Sequence, residues 1–155
     1  MKSLAALLIF CATAAASPTV TFVHTAAGSY GVQKAGEDAG PLFAFVKIES
    51  DKADTLKLTS LFVTHGKKVC ARTTKPLVVT KIPAIKDANA QLRVDADKGT
   101  PWKGELAKGT TWLRIEAVMD HQCPADKPEP VVRLTFASGN IPIEATRPFD
   151  QRLPS

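Results

Sequence analysis

The clearest pattern in the sequence is a regular alternation of apolar and polar positions in residues 110–123. Within this segment, every second residue from 113 to 119 is apolar: Leu113, Ile115, Ala117 and Met119. Arg114 and Glu116 fall between them. Successive side chains of a β-strand point to opposite faces, so this segment is predicted to form a strand with one buried face. The strand leads through a polar turn to Cys123, with Asp120 and His121 in the turn.

Two segments nearer the N-terminus predict further strands. Residues 20–25 alternate, and the pattern groups Val20, Phe22 and His24 in one register. Residues 42–49 alternate in the same way, and their predicted buried face holds Leu42, Ala44, Val46 and Ile48. Phe43 and Phe45 make the first half of this segment apolar on both faces. We therefore expect residues 42–49 to form a central strand.

A hairpin is predicted from residues 55–64 and 69–73, with residues 65–68 as its tight turn. The pattern directs Leu56, Leu58 and Phe62 to one face of the first strand, and it directs Cys70 inward from the second. Residues 77–82 are rich in β-branched side chains and have a proline on either side, which is typical of an edge strand.

The rest of the chain adds short strands at residues 91–95, 131–137 and 141–143. In the second of these, Val132, Leu134 and Phe136 are predicted to face the core. Loops are predicted at the glycine-rich residues 26–41 and at the polar residues 97–108. Residues 124–130 contain three prolines, so neither a helix nor an interior strand is expected there. No convincing amphipathic helix is found. About eight short strands separated by Gly and Pro predict an all-β, antiparallel β-sandwich, with an immunoglobulin-like sandwich as the specific candidate and a small β-barrel as the alternative.

The first sixteen residues have the order of a secretory signal peptide: Lys2, an apolar run, and small residues before a predicted cut after Ala16. The remaining chain is predicted to form one β-sandwich domain over residues 17–146 and an irregular tail over residues 147–155. No later stretch approaches the roughly 20 apolar residues of a membrane helix. We therefore expect a secreted or periplasmic protein without a transmembrane segment.

Cys70 and Cys123 are the two cysteines outside the predicted leader. An oxidising compartment and an even cysteine count favour a disulfide bond between Cys70 and Cys123. We call this predicted bond, which would join two strands, the staple. Two reduced thiols, available as metal ligands, are the alternative.

Charge is distributed unevenly in a chain whose formal net charge is +5. No acidic residue occurs between Asp54 and Asp87, yet this interval is rich in Lys and Arg. Its candidate anion-binding residues are Lys67, Lys68, Arg72, Lys75 and Lys81. Basic residues without interleaved aromatics suit an acidic protein or an anionic surface better than nucleic-acid bases, which need stacking partners. A solvated strand face would explain the same charges without any ligand.

The sequence contains no Gly-x-Ser-x-Gly, no His-Glu-x-x-His and no glycine-rich phosphate loop, so we expect neither enzyme activity nor a cofactor. A metal site is the sharper alternative. If Cys70 and Cys123 are bridged, His65, Asp120 and His121 each lie within a few residues of the bridge, and two imidazoles with a carboxylate could bind copper or zinc. Carbohydrate binding would use Tyr30, Trp102 and Trp112. The leading hypothesis is an exported, non-enzymatic binding protein of unknown partner; a small copper- or zinc-binding protein is second.

Overall fold

The computed structural model describes residues 18–27, 41–85, 99–124 and 127–149. Within these ranges there are eleven strands and no helix. Eight strands have five residues or more: β1 (Thr19–Ala27), β2 (Pro41–Ser50), β4 (Lys57–His65), β5 (Lys68–Arg72), β6 (Val78–Ile82), β9 (Gly109–Val118), β10 (Val131–Ser138) and β11 (Ile141–Pro148). Three strands have two residues: β3 (Asp54–Thr55), β7 (Thr100–Pro101) and β8 (Glu105–Leu106). A helix long and apolar enough to cross a membrane does not occur among the described residues.

The long strands form two antiparallel sheets whose inner faces share one core. The first sheet has the order β1-β2-β9-β6-β7, the second has the order β11-β10-β4-β5, and β3 pairs with β8. If the eight long strands are lettered A, B, C, C′, D, E, F and G, the sheets read A-B-E-D and C′-C-F-G, which is the connectivity of an immunoglobulin-like sandwich. The predicted β-sandwich is confirmed. The alternative of a small β-barrel is wrong, because the strands do not close into one continuous sheet.

Unbroken alternation correctly predicted the inner faces of the central strands. The side chains of Leu42, Ala44, Val46 and Ile48 in β2 are at most 2% exposed, and so are Leu113, Ile115 and Ala117 in β9 and Val132, Leu134 and Phe136 in β10. Phe45 lies on the outer face of β2 and is also buried. Strand β2 lies between β1 and β9, which confirms the predicted central position. Its outer face is buried at Phe45 but exposed at Glu49.

Two β-bulges change the predicted registers of β1 and β4. In β1 the pairing with β2 skips Val23, so His24 lies opposite Phe45 on the outer face, with ring centroids 6.2 Å apart. In β4 the pairing with β10 skips Thr59, so Leu61 and not Phe62 faces the core. The predictions that His24 shares a face with Phe22, and Phe62 a face with Leu58, are wrong because a bulge inserts one residue and inverts the alternation beyond it.

Several predicted segments lie wholly or partly outside the described residues. They are the signal peptide at residues 1–16, most of the loop at residues 26–41, the strand at residues 91–95, and residues 150–155 of the tail. Strand β11 continues to Pro148, two residues beyond the predicted domain boundary. Phe149 then donates its backbone N–H to Pro130 O at 2.9 Å and packs against the core.

Candidate functional site

After β5, the chain leaves the second sheet and pairs with the end of β9 in the first sheet. The backbone N–H of Thr74 donates to Val118 O, and the N–H of Asp120 donates to Arg72 O, each at 2.9 Å. Thr73 and Met119 form an isolated antiparallel bridge between these two bonds. We call residues 72–74 and 118–120 the seam, because their hydrogen bonds join the two sheets at this edge.

A disulfide bond between Cys70 and Cys123 reinforces the seam and confirms the predicted staple. Cys70 is the extra residue of a bulge in β5, since Ala71 pairs with Val63 while Val69 pairs with Thr64. Both cysteines are half-buried against the core. The bond joins strand C′ to the connection between strands E and F, unlike the bond between strands B and F that crosses the core of antibody domains.

Asp120 adds a side-chain contact across the same seam. Its Oδ1 accepts the backbone N–H of Arg72 at 2.8 Å and lies 3.1 Å from Nδ1 of His121. Partial burial opposes ionisation of this carboxyl group, but the N–H of Arg72 and the His121 ring outweigh it and lower the pKa of Asp120 below its ordinary value. The carboxylate therefore helps to hold the end of β5 against the end of β9.

The three predicted metal ligands do not assemble into a site. Asp120 and His121 contact each other, whereas His65 pairs with Lys68 at the end of the β4–β5 hairpin. Within the described ranges, no group of three His, Cys, Asp or Glu side chains is arranged to hold a metal ion. The sulfur atoms of Cys70 and Cys123 are bonded to each other, so they are not thiolate ligands in this state.

The aromatic residues proposed for carbohydrate binding are also separate. Trp102 is buried and donates its indole N–H to Glu105 O at 2.8 Å, which makes it part of the core. Trp112 lies on the outer face of the first sheet, where Nζ of Lys47 is 5.9 Å from the ring centroid. Tyr30 lies outside the described residues.

The five candidate anion-binding residues are all exposed, but they occupy three places. Lys67 and Lys68 lie at the tip of the β4–β5 hairpin. Arg72 and Lys75 follow along the same edge of the molecule, where both line one groove. Lys81 lies in β6, on the other sheet, and is not among the groove residues. The sequence could not show this separation, because the seam that directs the chain from β5 to β6 is a long-range contact.

The groove has a volume of about 540 Å³. One wall is β4, from Leu58 to Phe62, and the other is the segment that carries the chain past the seam toward β6. The residues of this second wall are Arg72, Thr73, Lys75, Pro76, Leu77 and Val79. No acidic side chain is among the lining residues. Small-molecule and cofactor sites have volumes of roughly 300–1,000 Å³, so the volume of the groove is within the range of ligand sites.

No protein-family model matches this sequence, and no curated protein is significantly similar to it. The structure itself shows an antiparallel β-sandwich with a disulfide bond at one edge and, near that edge, a groove lined by Arg72 and Lys75.

Proposed function

We propose that this protein is a non-enzymatic, exported binding protein whose basic edge contacts an acidic segment of a partner protein. The basic edge consists of Lys67, Lys68, Arg72 and Lys75. The observation that carries the proposal is the charge of the groove: it is lined by Arg72 and Lys75 and by no acidic residue. A disulfide bond and the absence of a membrane-spanning helix in the described residues are compatible with an extracytoplasmic location.

A protein partner is favoured over a flat anionic surface by where the charges lie. A lipid headgroup layer contacts side chains that project together from one face. Lys67 and Lys68 project from a hairpin tip, whereas Arg72 and Lys75 line a recess. Strands rise 3.2–3.4 Å per residue, so the tip and the recess are roughly 13 Å apart along β5. A flexible, acidic polypeptide segment is narrow enough to contact both the hairpin tip and the recess.

The test uses polyglutamate as the probe, with anionic lipid vesicles in parallel. The double variant Lys67→Glu, Lys68→Glu should weaken polyglutamate binding at low salt, because it reverses two charges at the hairpin tip. The difference should shrink in high salt, since exposed charges are screened beyond roughly 8–10 Å at ordinary ionic strength. The matched control is Lys103→Glu, Lys108→Glu, which reverses two exposed lysines outside the basic edge.

Three results would count against the proposal. Equal losses in the two double variants would show that only net charge matters. Binding to anionic vesicles but not to polyglutamate would replace the protein partner by a membrane surface. A stoichiometric calorimetric isotherm with copper or zinc, without any polyglutamate binding, would favour the metal-binding alternative.

A further inference from the structure

We propose that the groove binds an extended peptide strand of the partner, which pairs with the open edge of β4 and alternates apolar with acidic side chains. This inference rests on the proposed function and specifies how the partner is recognised. Addition of a strand to a sheet edge is a common mode of peptide recognition, in which backbone hydrogen bonds supply affinity and alternate side chains supply specificity.

The open edge results from the unequal lengths of the strands beside β4. Strand β10 pairs with β4 from Lys57 to Thr64, but β5 pairs with it only from Phe62 to His65. The chain turns away after Arg72, where the seam directs it to β9. In the described part of the chain, residues 57–61 of β4 therefore have no ladder partner on the side opposite β10. The groove follows this open edge.

An extended segment fits the length of the open edge. Five strand residues span roughly 16 Å at 3.2–3.4 Å per residue, so a peptide of five or six residues would cover residues 57–61. Such a peptide would lie in line with β5 and would complete the second sheet where β5 ends. The unpaired backbone groups of an edge strand are able to pair with another chain. Among the described residues, no strand pairs with residues 57–61 on this side.

The inner side of the groove is apolar. Leu58, Leu77 and Val79 line it, and all three are half-buried and packed against the core. Side chains of a bound strand that point toward the sandwich interior would cover these three residues. Apolar residues at alternate positions of the peptide are therefore expected.

The outer side of the groove is basic. Arg72 pairs with Phe62, which the bulge at Thr59 turns to the outer face of the second sheet. Lys75 lines the same wall of the groove, three residues further along the chain. Peptide side chains that point outward would lie beside these two cations, and charge complementarity favours Glu or Asp there. The same strand geometry that places apolar residues inward thus places acidic residues outward.

The experiment measures binding of three blocked peptides to the full chain by fluorescence anisotropy. The first alternates Val and Glu over seven residues. The second has the same composition with the Val and Glu residues in separate blocks. The third keeps the alternating sequence but carries N-methyl groups on alternate backbone amides, which removes donors to β4. We expect the second and third peptides to bind at least about tenfold more weakly than the first.

Site-directed variants locate the binding on the protein. Lys75→Glu and Leu77→Ser should each weaken binding of the alternating peptide by about tenfold. Their controls are Lys81→Glu, an exposed lysine outside the groove, and Val78→Ser, which changes the exposed neighbour of Leu77. Both controls should leave the dissociation constant unchanged. Backbone amides within residues 57–61 should exchange more slowly with solvent when the alternating peptide is bound.

The outcomes separate this inference from the proposed function. Equal binding of all three peptides, with polyglutamate still dependent on Lys67 and Lys68, would overturn strand addition and leave the acidic partner standing. Loss of binding in Val78→Ser as large as in Leu77→Ser would also overturn the groove as the site. If polyglutamate and the alternating peptide both fail to bind the native protein, both proposals fail. The N-methylated peptide is tested on unaltered protein, so its result does not depend on whether a variant folds.

Discussion

Gly104 and Gly109 have nearly the same backbone conformation, with φ of +108° and +112°, but they differ in their surroundings. A Cβ atom on Gly104 would lie 2.7 Å from the carbonyl oxygen of Leu56, whereas a Cβ atom on Gly109 would have no neighbour within 4 Å. Gly104 also accepts the backbone N–H of Leu56 through its own oxygen, at 2.8 Å. The close approach at the start of β4 therefore requires a residue without a side chain.

Gly104→Ala should consequently destabilise the protein more than Gly109→Ala. Both variants place a side chain in the left-handed region, which costs roughly 1–2 kcal/mol. Only Gly104→Ala adds a collision with backbone, and overpacking of this kind costs roughly 1–3 kcal/mol more. Urea denaturation of the two variants measures the difference directly. Equal losses of unfolding free energy would mean that the Leu56 carbonyl group moves aside at no cost.

The seam holds the end of β5 beside the end of β9 at this edge of the molecule. The side chain of Asp120 contacts the backbone across the seam, and its lowered pKa links the seam to pH. A carboxyl group whose pKa is lower in the folded than in the unfolded state adds stability above the unfolded pKa. That stability is lost as the pH falls through the folded-state pKa, so the relevant window lies below about pH 4.

Asp120→Ala should therefore lower the unfolding free energy at pH 7 by about 1 kcal/mol, since the N–H of Arg72 loses its acceptor. Asp120→Asn retains an oxygen acceptor and should lose less, but it should also remove part of the stability change between pH 5 and pH 3. Asp51→Asn, at an exposed position, is the control. Chemical denaturation of each variant at pH 7, pH 5 and pH 3 measures these differences in unfolding free energy. If Asp120→Asn had the same pH dependence as the native protein, this carboxylate would not couple the seam to pH.

At the level of strands, the sequence was sufficient to predict which residues face the core wherever the alternation of apolar and polar residues is unbroken. Strands β2, β9 and β10 have regular inner faces, and each of their predicted core residues is buried. The pattern failed in β1 and β4, because Val23 and Thr59 are bulge residues with ordinary strand side chains. A bulge is decided by pairing with a distant strand, and one residue's identity does not encode it. His24 and Phe62 were assigned to the wrong face for this reason.

For the whole molecule, the disulfide bond is expected to be a major source of stability. It joins residues 53 positions apart, and the chain-entropy model assigns roughly 4 kcal/mol to a loop of this length. Reduction should therefore lower the Tm markedly. Mass spectrometry after alkylation provides the control: the non-reduced protein should contain no reactive thiol at Cys70 or Cys123. An unchanged Tm after complete reduction would contradict the expected contribution.

The candidate site was only partly predictable. The acid-free interval in the sequence correctly indicated exposed positive charge, because the spacing of charged residues is visible without a fold. It did not indicate that Arg72 and Lys75 share a groove while Lys81 lies elsewhere. That arrangement depends on β5 being shorter than β4 and on the seam beyond it, and both are properties of paired strands.

The staple also determines how the protein would respond to force. Strands β6 to β9 lie in the covalent ring closed by Cys70 and Cys123, so tension applied near residues 18 and 149 passes through the sulfur atoms and bypasses the ring. The two Cα atoms are 5.5 Å apart, whereas 53 extended residues would span roughly 180 Å. When a single oxidised molecule is unfolded in an optical trap, its contour length should therefore be shorter than that of the fully extended chain by nearly 180 Å. Addition of a reductant should restore the missing length.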